Sequence, residues 1–505
     1  MRLGIDFGTT HTVVALVDRG NYPVVSFDGE EFFPSVVAGS ASGELAFGVA
    51  ALSARLTPGW ELLRSFKRLL SDAGPATTVR IAGREHLLSD LLAGYLAALH
   101  RALLEGSNAG LDEGEPLEVA VSVPANATSA QRFLTLDAFA RAGFHVVALL
   151  NEPSAAGFEY AHRYRTTITA RREYVAIYDL GGGTFDASLL RMTGRSSEVV
   201  ASEGIQRLGG DDFDEAILSI VLGRLGSPSV PPARRALLLE ECAGQKEAVN
   251  PNSRRLLVDL TPFEESPVAV PIDEVYAACA PLVARSVQAL ADVLVDPRTG
   301  TAVEEELAGI YVVGGAGAFP LVARMLRERW GERRVKRSPH PFAATAIGLA
   351  IFLDQEAGYT LADRLSRTFG VFREARSGGE VIFDPIFDRE TPLPAPGEPP
   401  VTTVRVYRTF HDIGHFRFVE CSRLVDGRPD GDVTPWDEFR FPFDPELRDG
   451  LDLCDLPVTR NEVPGPWVEE RYTCADAGTI EVTLTDLSDG FSRTFRLGRA
   501  LREAC

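Results

Sequence analysis

The sequence predicts an α/β region of two similar halves reaching to about residue 355, followed by an antiparallel β-sandwich over 364–498. Three observations carry this reading. Before residue 355, short apolar runs alternate with stretches of helical period, the order expected of an α/β fold. An Asp-x-Gly turn follows an apolar run twice, at Asp6-Phe7-Gly8-Thr9-Thr10 and at Asp179-Leu180-Gly181-Gly182-Gly183-Thr184, which indicates an internal duplication. After residue 355 the apolar pattern changes to period two, the mark of strands with one buried face.

Taken in order, strand-like runs fall at 2–7, 12–17, 118–123, 174–179, 186–192 and 309–313. Helical spacing joins Leu88, Leu91, Leu92, Tyr95, Leu96, Leu99 and Leu103, and again Leu321, Val322, Met325, Leu326 and Trp330. Residues 356–363 read as the join between the two parts. The proline-rich stretch 391–400 excludes a helix or a central strand. Alternating runs at 403–408, 415–420, 479–484 and 493–497 supply the strands of the sandwich, and 499–505 reads as a short tail.

The composition is that of a globular chain, with 45% apolar and 24% charged residues. A formal net charge of −20 argues against nucleic acid or an anionic membrane as a general partner, since both require a positive surface. The sequence has neither a membrane-length apolar span nor a basic leader before an apolar core, so a cytoplasmic location is expected. Its six cysteines form no Cys-x-x-Cys pair, and reduced thiols are expected. Of 51 basic residues only Lys67, Lys246 and Lys336 are lysine. In so arginine-rich a chain, a lysine suits a place where a compact ammonium is needed, as beside a phosphate. Lys336, in the basic run 333–337, reads instead as a surface residue.

Asp6 and Asp179 each end a strand and open a tight turn. Facing each other across a cleft, they would hold a hydrated Mg²⁺, which prefers oxygen ligands. Gly8, Gly181, Gly182 and Gly183 let backbone N–H groups approach phosphate oxygens, and Thr9, Thr10 and Thr184 supply hydroxyls. A third turn, Val313-Gly314-Gly315-Ala316-Gly317, adds a glycine floor for a nucleotide. Any one of these turns alone reads as an ordinary hairpin; the three together point to a nucleotide.

Further segments extend the pattern: Phe66-Lys67-Arg68-Leu69-Leu70, Val123-Pro124-Ala125, Gln131-Arg132, Asn151-Glu152-Pro153-Ser154-Ala155-Ala156 and Leu208-Gly209-Gly210-Asp211-Asp212-Phe213-Asp214. With them, residues 3–350 resemble the ATPase domain of the DnaK-type, seventy-kilodalton heat-shock chaperones, within the actin and sugar-kinase superfamily. The resemblance implies an actin-like ATPase of two lobes that binds ATP and ADP with Mg²⁺, the metal lying near Asp6 and Asp179. It implies Lys67 as the catalytic lysine at the γ-phosphate and attacking water, and Glu152 as a carboxylate near that water. Asp179 and Asp186 would stand around Mg²⁺ and the water, Thr184 at the γ-phosphate and Lys246 at the adenosine. Gly8, Thr9, Thr10, His11, Gly181, Gly182, Gly183, Gly209, Gly210, Gly314 and Gly315 are implied to line the nucleotide. Pro124, Arg132 and Glu152 match the elements that pass nucleotide state to the peptide domain. By residue type alone, Lys67 reads as a solvated helix residue and Glu152 as a helix-start glutamate before Pro153.

The chain departs from the family pattern on the base side. His11 replaces a small polar or aromatic residue, and Ala243 and Asn250 stand where the family has glutamate and serine around its adenosine lysine. Ala316, Gly317 and Ala318 replace a polar pair and an arginine, and Phe342 falls near an expected aspartate. Weaker nucleotide binding or an altered base preference is therefore expected. The join lacks the family's leucine run, and Ala148 stands where a basic residue meets J-domain partners. Residues 365–371, 384–394 and 472–482 resemble, more faintly, the family's peptide-binding β-sandwich. No helical lid is expected after it, so peptide should exchange quickly.

The leading functional reading is an ATP-hydrolysing chaperone that binds unfolded or extended apolar polypeptide. A J-domain co-chaperone and a nucleotide-exchange factor are the implied partners. A second reading is a pseudo-chaperone or scaffold that uses nucleotide as a conformational ligand and recognises one client. A small-molecule kinase is disfavoured, because such kinases lack the Asn-Glu-Pro-Ser-Ala-Ala element and this β-rich region.

Overall fold

The computed structural model describes residues 1–497 except 75, 112–113, 115, 126, 206, 227–229, 262–265, 298, 376–379, 390, 396, 449–451 and 454–455. The tail at 499–505, with Cys505, and Cys454 lie outside the described residues.

The internal duplication appears as two sheets of matching strand order. The first runs His145–Asn151, Glu118–Val123, Arg2–Phe7, His11–Leu16, Phe33–Pro34. The second runs Val335–Arg337, Leu307–Val313, Tyr174–Leu180, Phe185–Thr193, Ser196–Ile205. In each, a central strand pairs antiparallel with the next strand in the chain and parallel with a later one. These strands are buried on both faces, as Val175, Ala176, Ile177 and Tyr178 show, which is why they read as continuous apolar runs.

The helices Glu152–Arg163 and Ala344–Leu353 pack against each other. Ala346, Ile347, Leu349, Ala350 and Ile351 are all buried, so the second helix is apolar all round and has no sequence period to betray it. A smaller sheet of Val36–Ser40, Leu45–Phe47 and Trp60–Arg64 belongs to the first half.

The join does not run free. Thr360–Ala362 adds a sixth strand to the second sheet, parallel to Ser196, Ser197 and Glu198. The C-terminal sandwich consists of two antiparallel sheets. One is ordered Glu380–Phe387, Thr368–Ala375, Ile413–Val425, Arg428–Pro442, the other Val401–Arg408, Trp467–Cys474, Ile480–Asp486, Ser492–Arg496. Phe369, Phe418, Phe439, Tyr472, Val482 and Leu484 fill the space between them.

The sandwich docks on the first half at the start of the helix Ser129–Arg141. Ala130 of that helix belongs to the sandwich core, and Ala477 of the sandwich packs against the core of the first half. Glu420 of the sandwich accepts hydrogen bonds from the Ser129 N–H at 3.2 Å and from the Ser129 hydroxyl. A buried carboxylate at a helix N-terminus is favoured by the helix dipole. Burial nevertheless raises the Glu420 pKa, and the two bonds from Ser129 pull it back in part.

Inside the sandwich a charged cluster crosses between the sheets. Glu470 is fully buried and accepts from Arg373 at 3.0 and 2.5 Å, and from the hydroxyls of Tyr407 and of Tyr472, the latter at 2.6 Å. Arg373 Nε donates to Asp384 at 2.6 Å, and Arg405 closes the edge by donating to the same carboxylate at 3.0 Å. Cys242, Cys279, Cys421 and Cys474 are buried and unpaired, in keeping with reduced thiols.

Candidate functional site

The two Asp-x-Gly turns are the tips of the two matching hairpins. Asp6 ends the strand Arg2–Phe7, opposite Val13 of His11–Leu16. Asp179 lies directly opposite Asp186 across the second hairpin. Like charges in such a pair are unfavourable to folding, so this position serves something other than sheet stability. The tips meet: a Cβ on Gly182 would lie 2.4 Å from Thr10 Oγ1, so only glycine allows the approach. Thr9 and Thr184 are half-buried in these tips.

Behind the second turn, the Gly210 N–H donates to the Gly181 carbonyl at 3.0 Å and the Asp211 N–H to the Gly182 carbonyl at 2.7 Å. These bonds hold the turn against the start of the helix Gly210–Leu225, whose positive end thereby faces the cleft. Asp212 caps that helix by accepting from the Gly209 N–H at 2.8 Å.

Lys67 is only 7% exposed, on the 3₁₀ turn Phe66–Asp72. Its Nζ donates to Glu152 Oε1 at 2.8 Å and lies 5.5 Å from the Phe7 ring centre. Residue type alone read Lys67 as solvated; the fold buries it against a carboxylate 85 positions away. Burial pushes its pKa down, but Glu152, Asp6 and Asp186 more than offset this, so the ammonium stays charged. Burial raises Asp6 to about 7, reinforced by Glu152 and opposed by Lys67 and by a 3.0 Å hydrogen bond from Ser122. Asp186 is likewise raised to about 7 by burial and by Glu152, and Asp179 is raised well above the usual carboxylate range by burial and by Glu152, Asp186 and Asp6.

Four carboxylates thus share the cleft floor with one ammonium. That crowding of oxygen donors, which raises Asp6, Asp179 and Asp186 and which a cation would relieve, fits a divalent cation such as Mg²⁺. Among the described residues no three potential metal ligands are close enough to hold an ion between them, so a cation here would keep much of its water shell.

On the base side, Lys246 is 8% exposed and committed elsewhere: its Nζ lies 2.8 Å from Asp214 Oδ1 and donates to the Gly210 carbonyl at 3.0 Å. His11 packs against Phe32 with ring centroids 4.0 Å apart and planes tilted by 57°, and burial together with the Arg64 charge lowers its pKa to about 4, so the ring is neutral. Gly315 borders a cavity of about 860 Å³ that Lys246 and Phe342 also line, while Gly314 lies against Asp179 and Leu180.

A family model described as Hsp70 protein matches residues 107–413, more than half of the chain. The chain belongs to the Hsp70 family. It is 31% identical over 437 residues to a chaperone protein HscA homolog of Acidithiobacillus ferrooxidans, covering 82% of this chain and 66% of that protein. It is 33% identical over 375 residues to the HscA homolog of Pseudomonas fluorescens, 71% of this chain and 58% of that one. It is 29% identical over 473 residues to the chaperone protein DnaK of Thermotoga petrophila, 86% of this chain and 75% of that one. The chain therefore spans just under two thirds of the first of these relatives and less of the second.

In this Hsp70 the fold brings Asp6, Lys67, Glu152, Asp179 and Asp186 together, with the glycine turns beside them. Sequence reasoning missed several partners. Ser122 supports Asp6, and its only signal was a lone hydroxyl in the apolar strand Glu118–Val123. Arg68 Nη2 donates to Asp211 at 3.1 Å, linking the two halves. Arg55 and Arg64 of the first half both grip Glu240 on the helix Pro232–Glu247 of the second. No local pattern marks such a clasp, because its members are more than 170 positions apart.

Proposed function

We propose that this Hsp70 is an ATP-dependent chaperone, hydrolysing ATP with Mg²⁺ to govern the binding of unfolded or extended apolar polypeptide by its β-sandwich. The observation that carries the proposal is the Lys67–Glu152 pair, 2.8 Å apart, on a floor shared with Asp6, Asp179 and Asp186. Phosphoryl transfer to water needs positioning and charge neutralisation more than covalent help. The Lys67 ammonium would hold an oxygen of the terminal phosphate, and Glu152 keeps that ammonium in place. Glu152 and Asp186 would orient water by accepting its hydrogen bonds. Backbone N–H groups of the turns at Gly8–Thr10 and Gly181–Thr184 would cradle phosphate oxygens. Asp6 and Asp179 would hold a hydrated Mg²⁺, which would supply charge neutralisation for the phosphates. Hsp70 family membership supports the ATPase assignment.

Residues 1–355 would form the ATPase domain, 356–363 the linker and 364–498 the substrate-binding domain. A cytoplasmic setting fits a chain in which no described helix is long and apolar enough to cross a membrane. A J-domain co-chaperone and an exchange factor are the partners such a cycle calls for. The test is steady-state ATPase activity with and without an unfolded apolar peptide, for the native chain and Lys67→Ala. Turnover that depends on Lys67 and responds to peptide is expected; its absence in the native chain overturns the proposal.

A scaffold that binds nucleotide without turnover and recognises one client is favoured by a different observation. The Arg373–Glu470–Asp384–Arg405 cluster puts charge inside the sandwich, where a general apolar-peptide binder would gain from apolar surface. Tight nucleotide binding without hydrolysis would select that reading.

A further inference from the structure

The base side of the cleft carries one feature that neither the fold nor the phosphate chemistry requires. Phe342 is 49% exposed, and its ring borders the 860 Å³ cavity next to the third glycine turn. Its position is set from two directions. A Cβ on Gly315 would fall 2.5 Å from Phe342 Cε1, so the ring lies directly on the Gly315 backbone. The neutral His11 ring approaches it edge-on, with centroids 6.4 Å apart. An aromatic ring fixed against glycine and facing a cavity is a stacking surface.

Several of the polar side chains that line the cavity are already engaged with protein groups. Lys246 is engaged by Asp214 and the Gly210 carbonyl. The neighbouring turn residues on the lining, Ala316 and Ala318, offer no polar side chain. Asn250 and Tyr276 line it as neutral hydrogen-bonding groups, and Glu247, Arg324, Arg327, Glu328 and Arg337 as charged ones, with Arg324 beside Glu328 at 3.8 Å and Arg337 donating to the Ala318 carbonyl at 3.4 Å.

We propose that Phe342 is the platform on which the nucleotide base stacks, and that stacking, in place of edge recognition, makes the site tolerant of base identity. Every base has a π face, so a stacking contact stabilises adenine and guanine alike. Hydrogen bonds between a base edge and dedicated protein donors and acceptors would discriminate; stacking does not. This inference rests on the nucleotide reading above and adds the substrate class: purine nucleoside triphosphates without strong preference.

The test is calorimetric titration of the full chain, with Mg²⁺, using ATP, GTP, ribose 5′-triphosphate and inorganic triphosphate. The native chain should bind ATP and GTP within about threefold of each other, and both roughly tenfold or more tighter than ribose 5′-triphosphate, the range expected of one base–aromatic stack. Phe342→Ala should bring ATP and GTP down to the level of ribose 5′-triphosphate while leaving the latter unchanged, and Phe342→Trp should restore both. A merely structural role would weaken all four ligands together, which overturns the proposal. ATP binding more than tenfold tighter than GTP, or ATP binding unaffected in Phe342→Ala, overturns it as well. If inorganic triphosphate binds while the base adds nothing, stacking fails and the phosphate grip stands. If no ligand binds, the nucleotide reading itself fails and this inference falls with it.

Discussion

Asn151 Nδ2 donates to both carboxylate oxygens of Asp363, at 2.9 and 3.0 Å, so the residue beside Glu152 holds the end of the join to the sandwich. Arg132 Nη2 donates to the Asn151 side-chain oxygen at 2.8 Å, and its Nη1 to the Ala477 carbonyl of the sandwich at 3.3 Å. Arg132 is 2% exposed, so its charge depends on these partners and on Asp363, 3.9 Å away. One buried cluster thus joins the cleft, the join and the sandwich. Asp363→Ala would leave Arg132 without its carboxylate, at a cost of about 3–5 kcal/mol to the docked arrangement. Amide exchange of Thr360–Ala362 should accelerate at least tenfold, and peptide should no longer alter ATP turnover. Unchanged exchange there would show that the cluster does not hold the join.

Lys67→Ala should lower ATP turnover by about 10²–10³-fold, the usual effect of losing one preorganised charge at a phosphoryl group. Lys67→Arg should also fail, since a planar guanidinium does not replace a point charge packed at 2.8 Å from Glu152 beside Phe7. Single-turnover ATPase assays check both, and full activity of the arginine variant would refute the geometric requirement.

Burial and Glu152 raise Asp186 from 3.8 to about 7 in the nucleotide-free protein. A carboxyl raised on folding binds its proton more tightly in the folded state, so it lowers stability as pH rises from about 4 to about 7. Asp186→Asn removes that dependence. Its melting temperature relative to the native chain should therefore increase between pH 5 and pH 8, by about 2–4 °C per kcal/mol. A difference that stays flat across this window would rule out the raised carboxyl.

Glu470 should tolerate no single replacement. Glu470→Gln leaves the buried Arg373 with Asp384 as its remaining carboxylate, and about 3 kcal/mol of sandwich stability should be lost in urea unfolding. Replacing both partners, as Arg373→Met with Glu470→Leu, should cost less than the single change. Equal losses would mean that packing rather than charge pairing dominates there.

The Arg55 and Arg64 clasp on Glu240 spans the two halves near the surface, with Glu240's side chain 33% exposed. Exposed pairs contribute about 1 kcal/mol or less, so Glu240→Ala should speed ADP release by roughly fivefold at most. In stopped-flow release, the native rate should rise with salt and the variant rate should not. A variant as slow and as salt-sensitive as the native chain would show that the clasp does not restrain the cleft.

Local pattern revealed much of this molecule. The hairpins of both halves were legible because each turn pairs a strand-ending aspartate with glycines in a short stretch. The sandwich strands were legible where one face is buried and the other is not, as the alternating burial of Ile480–Asp486 shows; Val401–Arg408 keeps the period but leaves Val404 and Val406 exposed. The helix Ala344–Leu353 was not legible, because burial on all sides erases periodicity. Nor was the strand Thr360–Ala362, whose pairing partner lies far back in the chain.

Order along the chain was therefore enough for the two-part architecture, the duplication and the glycine turns, since hydrophobic period and turn chemistry are properties of neighbouring residues. Folding decided what those turns enclose. Lys67 and Glu152 are 85 positions apart, and Asn151 and Asp363 are 212 apart. Whether such residues are solvated or paired depends on which surfaces the two sheets bury against each other. The same holds for Lys246, drawn to Asp214, and for Phe342, laid on Gly315 with its ring open to the cavity. Desolvation and charge pairing act through space, so only the tertiary arrangement could set them.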